Sequence, residues 1–429
     1  MKKYAICGAS NRAVNMYIGP ICKSFSDVAK LVGLLDKDPL RFRICEDNVP
    51  ECKGTPAYSD NEFEKMVDET KPDAIIVAGA DHTHARYVIA GLKRGLEVIC
   101  EKPMTSTAAD AKAILEAEAE NDGQVIVTFN YRYPAARRRI KELILEGRIG
   151  RVTHADLNWY IDTYHGASYF KRWNRNRALS GGLSIHKSSH HFDLLQWWLD
   201  QEPVEVFAYG DRNYYGADAP ENPRKVDGRH CTTCPDRTSC RYVMRWQSRH
   251  NPAQNLPKDD HLGKVKLGKE PGAYTDYSPD MCIFDSEIDI EDMYVVTIKY
   301  DQGAVVSYSC NWSCPYEGYR LGINGTEGRM ETQEYHAGHR MPFDVPKQTL
   351  EVMPLFRGAK ETVHIQHGSG GHGGGDPLIL EDLFIGPDPK RAYDIQATAR
   401  SGALAVATGE AVWKSVATGQ PIKISELLD

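Results

Sequence analysis

The stretch that decides the fold is the first strand and the turn after it, Lys3-Tyr4-Ala5-Ile6-Cys7-Gly8-Ala9-Ser10-Asn11-Arg12-Ala13. A short apolar strand leads directly into a turn of small residues with the spacing Gly-x-Ser-x-x-Ala. Gly8 allows the tight turn, Ser10 is small enough for a pyrophosphate to approach, and Ala13 permits close helix–strand packing. The segment predicts the start of a dinucleotide-binding fold, with Arg12 as an added cation beside phosphates at the helix N-terminus.

A second apolar run supplies a carboxylate at its end. The run Leu31-Val32-Gly33-Leu34-Leu35 is followed by Asp36, where a dinucleotide fold places the acid that binds the ribose 2′-hydroxyl. An acid there favours NAD over NADP, because it repels a 2′-phosphate. The neighbouring Lys37 weakens this argument, and an ordinary loop aspartate before a helix is the alternative.

The alternation of strands and helices continues after this run. Residues 73–78, 96–100 and 125–129 have the composition of buried strands, and residues 84–94 and 108–120 have that of helices. Such alternation predicts a parallel sheet with right-handed crossovers. Lys102 follows the strand that ends at Cys100, at the sheet edge where open parallel sheets bind ligands. The alternative for Lys102 is an ordinary surface lysine in a loop.

Several motifs occur in a characteristic order, and together they carry a resemblance. They are Gly8 to Ala13, Asp36, Asp81-His82-Thr83-His84, Glu101-Lys102-Pro103 and Asn130-Tyr131-Arg132-Tyr133. In this order they resemble the Gfo/Idh/MocA family of NAD(P)-dependent sugar and cyclitol oxidoreductases. The resemblance implies a Rossmann-like doubly wound parallel sheet at residues 1–129 and an α+β substrate and oligomerisation domain at residues 130–429. The second domain would hold a large, mostly antiparallel open sheet flanked by helices.

The same resemblance implies two sets of ligand-binding residues. Those expected at the cofactor are Gly8, Ser10, Asn11, Arg12, Asp36, Gly79, Asp81, His84, Glu101, Lys102 and Asn130. Those expected at the substrate are Tyr169, Arg172, Trp173, Lys187, His191, Asp193, His372 and Asp376. The aromatic stretch near Tyr169 also fits core packing, and the glycine-rich stretch around His372 also fits a flexible surface loop or adventitious metal binding.

The segment from Ser180 to Asp193 predicts the catalytic groups. His190 lies where the resemblance places the base that takes the hydroxyl proton, and His186 lies where most members have aspartate. Imidazoles titrate near neutrality and suit this role, while Lys102 would orient the same oxygen. His186 and His190 are four residues apart, so they share one helix face and could instead bind a metal.

A polar insertion at about residues 215–282 carries a cysteine cluster. Cys231, Cys234 and Cys240, with Cys282 as a plausible fourth ligand, predict a structural zinc site. An iron–sulfur cluster, unliganded thiols and disulfides are the alternatives.

Composition limits the partners. A net charge of −7 and a pI near 6.1 give no electrostatic footprint for nucleic acid. We expect no membrane span, since no apolar stretch is long enough, and a cytoplasmic protein, since the first strand leaves no room for a signal peptide. A homodimer or homotetramer is implied by the resemblance alone.

The predicted function is an NAD-dependent dehydrogenase acting on a secondary hydroxyl of a sugar, glycoside or cyclitol. One alternative is an NAD-recycling glycosidase that works by transient oxidation and elimination. A second alternative is a dinucleotide-binding sensor without turnover, which would not need Lys102 or His190.

Overall fold

Two β-sheets organise the chain, one of seven strands and one of nine. The computed structural model describes residues 1–223, 228–231, 234–236, 240, 242, 281–338, 341–356, 358–366, 368, 370–391 and 393–429. Residues 243–280, most of the second half of the predicted insertion, lie outside these described residues.

The first sheet has the order β15-β6-β5-β4-β1-β2-β3. Its strands are β1 (Lys2–Cys7), β2 (Ala29–Leu35), β3 (Ala57–Tyr58), β4 (Ala74–Val77), β5 (Glu97–Cys100), β6 (Val125–Val127) and β15 (Ala397–Thr398). Neighbours among β1 to β6 pair in parallel. All four residues of β4 are buried, as expected for a parallel strand covered by helices on both faces. The edge strand β15 pairs antiparallel with β6 and comes from the far end of the chain.

The second sheet has the order β14-β13-β12-β11-β7-β10-β9-β8-β16. Its strands are β7 (Val152–Asp162), β8 (Pro203–Asp211), β9 (Met293–Tyr300), β10 (Val305–Cys314), β11 (Glu317–Gly325), β12 (Gly328–His336), β13 (Thr349–Pro354), β14 (Glu361–His364) and β16 (Ile422–Lys423). Every pair is antiparallel except β7 with β10. Buried and exposed residues alternate along β9, so one face of the sheet packs on helices and the other is open.

Helices cover both sheets and join them. The α-helices are α1 (Asn11–Ala13), α2 (Gly19–Cys22), α3 (Leu40–Asn48), α4 (Phe63–Thr70), α5 (His84–Lys93), α6 (Ala108–Glu120), α7 (Ala135–Leu145), α8 (Thr163–Phe170), α9 (Arg177–Ser180), α10 (Leu183–His186), α11 (Ser189–Leu199), α12 (Gly371–Phe384), α13 (Ala399–Thr418) and α14 (Ser425–Leu428). A π-helical turn (Val14–Ile18) connects α1 to α2, and 3₁₀ turns occupy Pro50–Cys52, Asp81–Thr83, Asn130–Arg132, Trp173–Arg175 and Pro389–Arg391.

Helix α13 links the two sheets. The side chain of Thr398 caps its start by accepting a hydrogen bond from the Ser401 amide, and Gly419 ends it at φ +67°. The helix packs against β8 of the second sheet and against α6 of the first domain. Because β15 immediately precedes it, this C-terminal segment belongs to both halves of the fold. The predicted fold class, a parallel Rossmann-like sheet with a mostly antiparallel second domain, is confirmed.

Candidate active site

The turn after β1 lies against the turn after β4, at the carboxyl edge of the first sheet. Gly8 has φ +94°, and a Cβ atom on it would lie 2.3 Å from Cα of Gly79, so only glycine fits. The hydroxyl of Ser10 caps the next helix by accepting a hydrogen bond from the Ala13 amide at 3.1 Å. These features form the close-approach turn that dinucleotide folds use for a pyrophosphate.

Asp36 lies beside this turn. Its carboxylate accepts hydrogen bonds from the amide of Ala9 at 2.7 Å and from the amide of Asp38 at 2.8 Å. Burial raises the pKa of Asp36, and these hydrogen bonds oppose the rise. Arg41 bonds the Ala9 carbonyl and donates to the side-chain oxygen of Asn11 at 3.0 Å. The carboxylate therefore lies just after β2, beside the turn that the sequence predicts to bind a pyrophosphate.

Glu101 anchors the loop that carries Lys102. One carboxylate oxygen accepts hydrogen bonds from Arg12 and from the Tyr17 hydroxyl, both at 2.6 Å. The other accepts from the amide of Lys102 at 3.2 Å. Burial would raise the pKa of Glu101, but Arg12 and Tyr17 outweigh it and lower the pKa. The structure thus places Arg12 in an ion pair with Glu101, at the junction of the glycine turn and the loop that carries Lys102.

His84 joins two loops of the first domain. Its Nδ1 lies 3.0 Å from the Pro103 carbonyl oxygen, and its Nε2 lies 3.2 Å from the Gly79 carbonyl oxygen. The residue is 1% exposed. Both ring nitrogens of this predicted cofactor residue therefore face protein backbone, and the imidazole fixes the two loops relative to each other.

The proposed reaction centre lies where the two domains meet. The ammonium of Lys102 donates to the backbone carbonyl of His186 at 3.1 Å. The Nδ1 atom of His186 lies 2.5 Å from a carboxylate oxygen of Asp81, which comes from the first domain. Burial lowers the pKa of both Lys102 and His186, while Asp81 opposes the shift in each. Residues that are 84 and 105 positions apart in sequence are thereby brought together.

His190 lies in the same centre, on α11. Its ring stacks on that of Tyr131 with centroids 3.9 Å apart and planes at 12°. Burial, followed by the positive charges of Lys102 and Lys187, lowers the pKa of His190 well below its ordinary value. His190 is therefore a neutral imidazole at physiological pH, and no described residue bonds its buried Nδ1.

The glycine-rich stretch folds back onto the start of the second domain. His372 Nδ1 lies 2.8 Å from one carboxylate oxygen of Asp376. The other oxygen accepts from the side-chain amide of Asn130 at 2.7 Å. The ring of His372 lies 5.8 Å from that of Tyr131. Three residues predicted separately, two at the substrate and one at the cofactor, thus form one hydrogen-bonded group.

The aromatic stretch on and after α8 surrounds His186. The rings of Tyr169 and Trp173 meet it edge-on at 5.5 and 5.6 Å. The Tyr169 hydroxyl also lies 2.8 Å from Nε2 of His165. Arg172 donates to the Ser168 carbonyl at 2.9 Å, which holds its side chain along the helix.

Two predicted substrate residues lie behind the centre. Asp193 is fully buried and accepts two hydrogen bonds from Arg132, at 2.8 and 2.5 Å. His191 is also fully buried, stacks on Trp159 at 3.8 Å and bonds the Tyr308 hydroxyl at 2.8 Å. Their positions support the centre from within the core.

The sequence did not single out Tyr131 as a site residue, yet it lies at the middle of the centre. Its hydroxyl accepts a hydrogen bond from Lys187 at 3.1 Å, and both residues are buried. The sequence signal for this residue was the motif Asn130-Tyr131-Arg132-Tyr133, in which aromatic residues precede the first α-helix of the second domain. Nothing in that pattern tells which of the two tyrosines faces the site.

A cavity of about 740 Å³ opens beside Tyr131 and His372 onto the second sheet. Glu334 and His336 lie two residues apart on β12 and so face the same side of it. Glu317 on β11 bonds Nδ1 of His165 at 3.0 Å. Sequence reasoning missed these charged groups, although the two-residue spacing on β12 was a usable signal.

The four cysteines predicted as zinc ligands converge on one small cavity. Cys231, Cys234, Cys240 and Cys282 all line one small cavity of about 20 Å³. Within the described ranges, no group of three or more His, Cys, Asp or Glu side chains is arranged to hold a metal ion. The predicted structural zinc is therefore not supported.

Two family profiles match the chain and cover most of it. The profile described as "Oxidoreductase family, NAD-binding Rossmann fold" matches residues 2–129. The profile described as "Oxidoreductase family, C-terminal alpha/beta domain" matches residues 141–424. The chain belongs to the Gfo/Idh/MocA oxidoreductase family. Its first domain is accordingly an NAD-binding Rossmann domain, and the predicted family is confirmed.

Similar proteins include oxidoreductases named for inositol and aldose substrates. YteT of Bacillus subtilis (strain 168), which carries only a provisional oxidoreductase name, is 54% identical over 428 residues, covering 100% of this chain and 99% of YteT. Inositol 2-dehydrogenase of Rubrobacter xylanophilus is 28% identical over 188 residues, or 42% of this chain and 48% of that protein. The aldose–aldose oxidoreductase of Caulobacter crescentus shares the fold, with a TM-score of 0.63 at 17% identity over 98% of this chain and 99% of that one.

The length and composition of the helices bear on the prediction that the chain has no membrane span. None of the helices in the described ranges is both long and apolar enough to cross a bilayer.

Proposed function

We propose that this protein is an NAD-dependent dehydrogenase that oxidises a secondary hydroxyl of a sugar, glycoside or cyclitol. The observation that carries the proposal is the cluster in which Lys102 and Asp81 of the first domain meet His186 of the second. A substrate held between the two domains, divided at about residues 129 and 130, would lie against this cluster.

The turn after β1 supports NAD as the cofactor. A Cβ on Gly8 would lie 2.3 Å from Gly79, so this position admits no side chain. Without a side chain, the backbone of the turn allows a pyrophosphate to approach closely. Asp36 beside this turn favours a free ribose hydroxyl over a phosphate. When bound, NAD supplies the hydride acceptor.

The residues of the chain supply orientation and charge. Lys102 donates to the oxygen of the reacting hydroxyl and stabilises the negative charge that develops on it. His190, as a neutral imidazole, accepts a hydrogen bond from the same hydroxyl and takes its proton as the hydride leaves for NAD. The pair His186–Asp81 fixes Lys102 against the second domain, since the His186 carbonyl accepts from its ammonium.

The surroundings support a polyhydroxylated substrate. A sugar ring has polar edges and an apolar face, so its site needs hydrogen-bonding groups beside flat rings. The rings of Tyr169 and Trp173 border His186, while the dyad His372–Asp376 offers polar atoms nearby.

The test is NADH absorbance after purified protein is mixed with NAD and a panel of sugars, glycosides and inositols. We expect net NADH with at least one compound, and a Lys102→Ala variant should lose ~100-fold or more of the rate. The control is Lys93→Ala, an exposed lysine at the end of α5, which should keep the full rate. NAD binding should survive in both variants. No NADH from the whole panel, or an active Lys102→Ala variant, would count against the proposal.

The dyad His372–Asp376 favours one second candidate, an NAD-recycling glycosidase. Glycoside cleavage by oxidation and elimination needs an acid or base beyond the redox groups, and His372 is a 39% exposed imidazole paired with a carboxylate. Cleavage of an aryl glycoside without net NADH, lost in His372→Asn, would distinguish it from the dehydrogenase.

We also propose that the open face of the second sheet mediates a homodimer or homotetramer. Tyr209 on β8 and Val295 on β9 expose 69% and 53% of their surface on neighbouring strands. Light scattering should give a mass above one chain, and a Tyr209→Asp, Val295→Asp variant should lower it. A monomeric wild-type protein would refute the assembly.

A further inference from the structure

The cavity of about 740 Å³ beside Tyr131 belongs to the second domain. Its described lining extends along the chain from Tyr131 to Gly373 and includes residues of β11 and β12 and the stretch 345–348. Gly8 and Asp36 are not part of that lining, so the cavity is separate from the expected cofactor site. Pockets of about 300–1,000 Å³ bind drug-sized ligands, so the cavity has room for more than a single sugar ring.

Two residues of the cavity wall also contact the proposed reaction centre. Tyr131 lines the cavity, and its ring stacks on that of His190 at 3.9 Å. His165 lines it as well, and its Nε2 lies 2.8 Å from the hydroxyl of Tyr169. The ring of Tyr169 in turn meets that of His186 edge-on at 5.5 Å. None of the residues predicted to be catalytic is in the described lining. The cavity therefore adjoins the reaction centre and shares Tyr131 with it as a common wall.

Two buried carboxylates in the wall are acceptors for hydroxyl groups. Glu334 is 9% exposed and Glu317 is 5% exposed, and both line the cavity. Burial raises the pKa of Glu334, but Arg137 and His336 outweigh it and lower the pKa. At Glu317, burial is likewise outweighed, chiefly by His165, and the pKa is lowered. Ionised carboxylates accept hydrogen bonds and donate none, so the ligand groups that they bind are donors such as hydroxyls.

Two glutamines in the same wall have polar atoms that the described residues leave without a partner. Oε1 of Gln348 is buried and accepts no hydrogen bond from a described residue, and Gln348 as a whole is 9% exposed. Nε2 of Gln333 is buried and likewise donates to no described residue. Both side chains line the cavity. Such atoms are rare in folded proteins because each costs free energy. A ligand with hydroxyl groups, which both donate and accept, satisfies the two together.

The wall also offers flat apolar surface. The rings of Tyr131, Tyr164 and Tyr335 line the cavity, and Tyr164 is 38% exposed. A sugar ring is bound by hydrogen-bonding groups at its edges and by aromatic rings against its apolar face. This combination fits a polyhydroxylated ring better than a purely apolar group, which would leave the carboxylates and glutamines without partners.

We propose that this cavity is a subsite for a second sugar or cyclitol unit, so that the substrate is a glycoside of at least two units. The inference rests on the dehydrogenase function proposed above and names its substrate class. The unit that is oxidised lies at Lys102 and His190, and the second unit lies among Glu317, Glu334 and Gln348. The glycosidic oxygen passes along Tyr131, the residue that the cavity and the reaction centre share.

The test compares initial rates of NADH formation for sugars in pairs. The pairs are glucose with maltose and cellobiose, galactose with lactose and melibiose, and myo-inositol with galactinol. For at least one pair, we expect kcat/KM to be ~10-fold or more higher for the two-unit compound than for its single unit, because the second unit adds binding energy.

Gly338 allows the cavity to be filled without disturbing the core. It lines the cavity, and a Cβ on it would meet only Cγ2 of Val345 among the described atoms, at 3.8 Å. Gly338→Phe should therefore lower the ratio of the two kcat/KM values by ~10-fold. Gln348→Leu removes one acceptor and should lower the ratio by ~3-fold or more. The control Gln420→Phe adds the same ring at an exposed position after α13 and should keep the ratio.

Two-unit compounds that are never favoured over their single units would overturn the subsite and leave the dehydrogenase function intact. A ratio that is unchanged in both Gly338→Phe and Gln348→Leu would do the same. If Gly338→Phe does not fold, Gln348→Leu decides the question alone. If no compound yields NADH, calorimetry of the same compounds in the presence of NAD separates the two proposals. Binding of a two-unit compound that weakens in Gly338→Phe would then support the subsite and refute the function, and no binding of any of them would refute both.

Discussion

The buried ion pair Arg132–Asp193 allows a test of whether Asp193 stabilises the fold or contacts the substrate. Asp193 is fully buried, and its two carboxylate oxygens lie 2.5 and 2.8 Å from guanidinium nitrogens of Arg132. An Asp193→Asn change keeps the size but removes the charge, so the buried guanidinium faces neutral acceptors, the new amide oxygen and the Asp394 carbonyl at 3.0 Å. Breaking one side of a buried ion pair typically costs ~3–5 kcal/mol.

We therefore expect the free energy of unfolding to fall by ~3–5 kcal/mol in Asp193→Asn, measured by urea denaturation. The control is the double variant Arg132→Leu, Asp193→Leu, which removes both charges and should recover much of the loss. KM for substrate should not change in the folded fraction, because Asp193 does not reach the cavity. An unchanged unfolding midpoint together with a raised KM would mean that Asp193 contacts substrate, as the sequence predicted.

Two further outcomes follow from the charged groups. Burial lowers the pKa of His336, but hydrogen bonds to the carboxylates of Glu317 and Glu334 outweigh it and raise the pKa to about 9. Because the pKa is higher in the folded than in the unfolded protein, protonated His336 stabilises the fold fully below pH 6.5. That stabilisation is lost as the pH rises through about 9. Stability to urea should therefore drop over that interval, by at most ~3 kcal/mol from this group, and His336→Gln should flatten the drop; a wild-type curve without it would contradict the assignment. Asp36→Asn should raise the ratio of NADP to NAD affinity by ~10-fold, since a repelling charge is removed, and equal ratios measured by calorimetry in both proteins would show that Asp36 does not face the ribose.

Much of the first domain was predictable because its signals are local. The strands expected at residues 73–78 and 96–100 appear at Ala74–Val77 and Glu97–Cys100, and the helix expected at 108–120 has those bounds. The two-residue strands β3 and β15 were not predicted. Such short strands carry too little pattern, and β15 is placed by pairing with β6 from almost the other end of the chain.

In the candidate site, too, local motifs were predictable from the sequence and long-range contacts were not. Lys102 and the histidine-rich segment could be found because each is a compact motif in the sequence. The partners of those residues could not, since the Lys187–Tyr131 contact joins positions 56 apart and the Asp81–His186 contact joins positions 105 apart. His84 and Asp193 were predicted as ligand-binding residues from their motifs, but their side chains bond backbone carbonyls and a buried arginine. A motif identifies the residue type but not the direction in which its side chain points.

The return of the chain to β15 has a consequence for the first domain. The polypeptide leaves the first domain after β6 and re-enters it at β15 before α13 runs across to the second sheet. The parallel sheet is therefore complete only when segments from both ends of the chain are present. A proteolytic cut near residue 130 would leave β15 on the other fragment, and the fragment ending there would lack one edge of its own sheet.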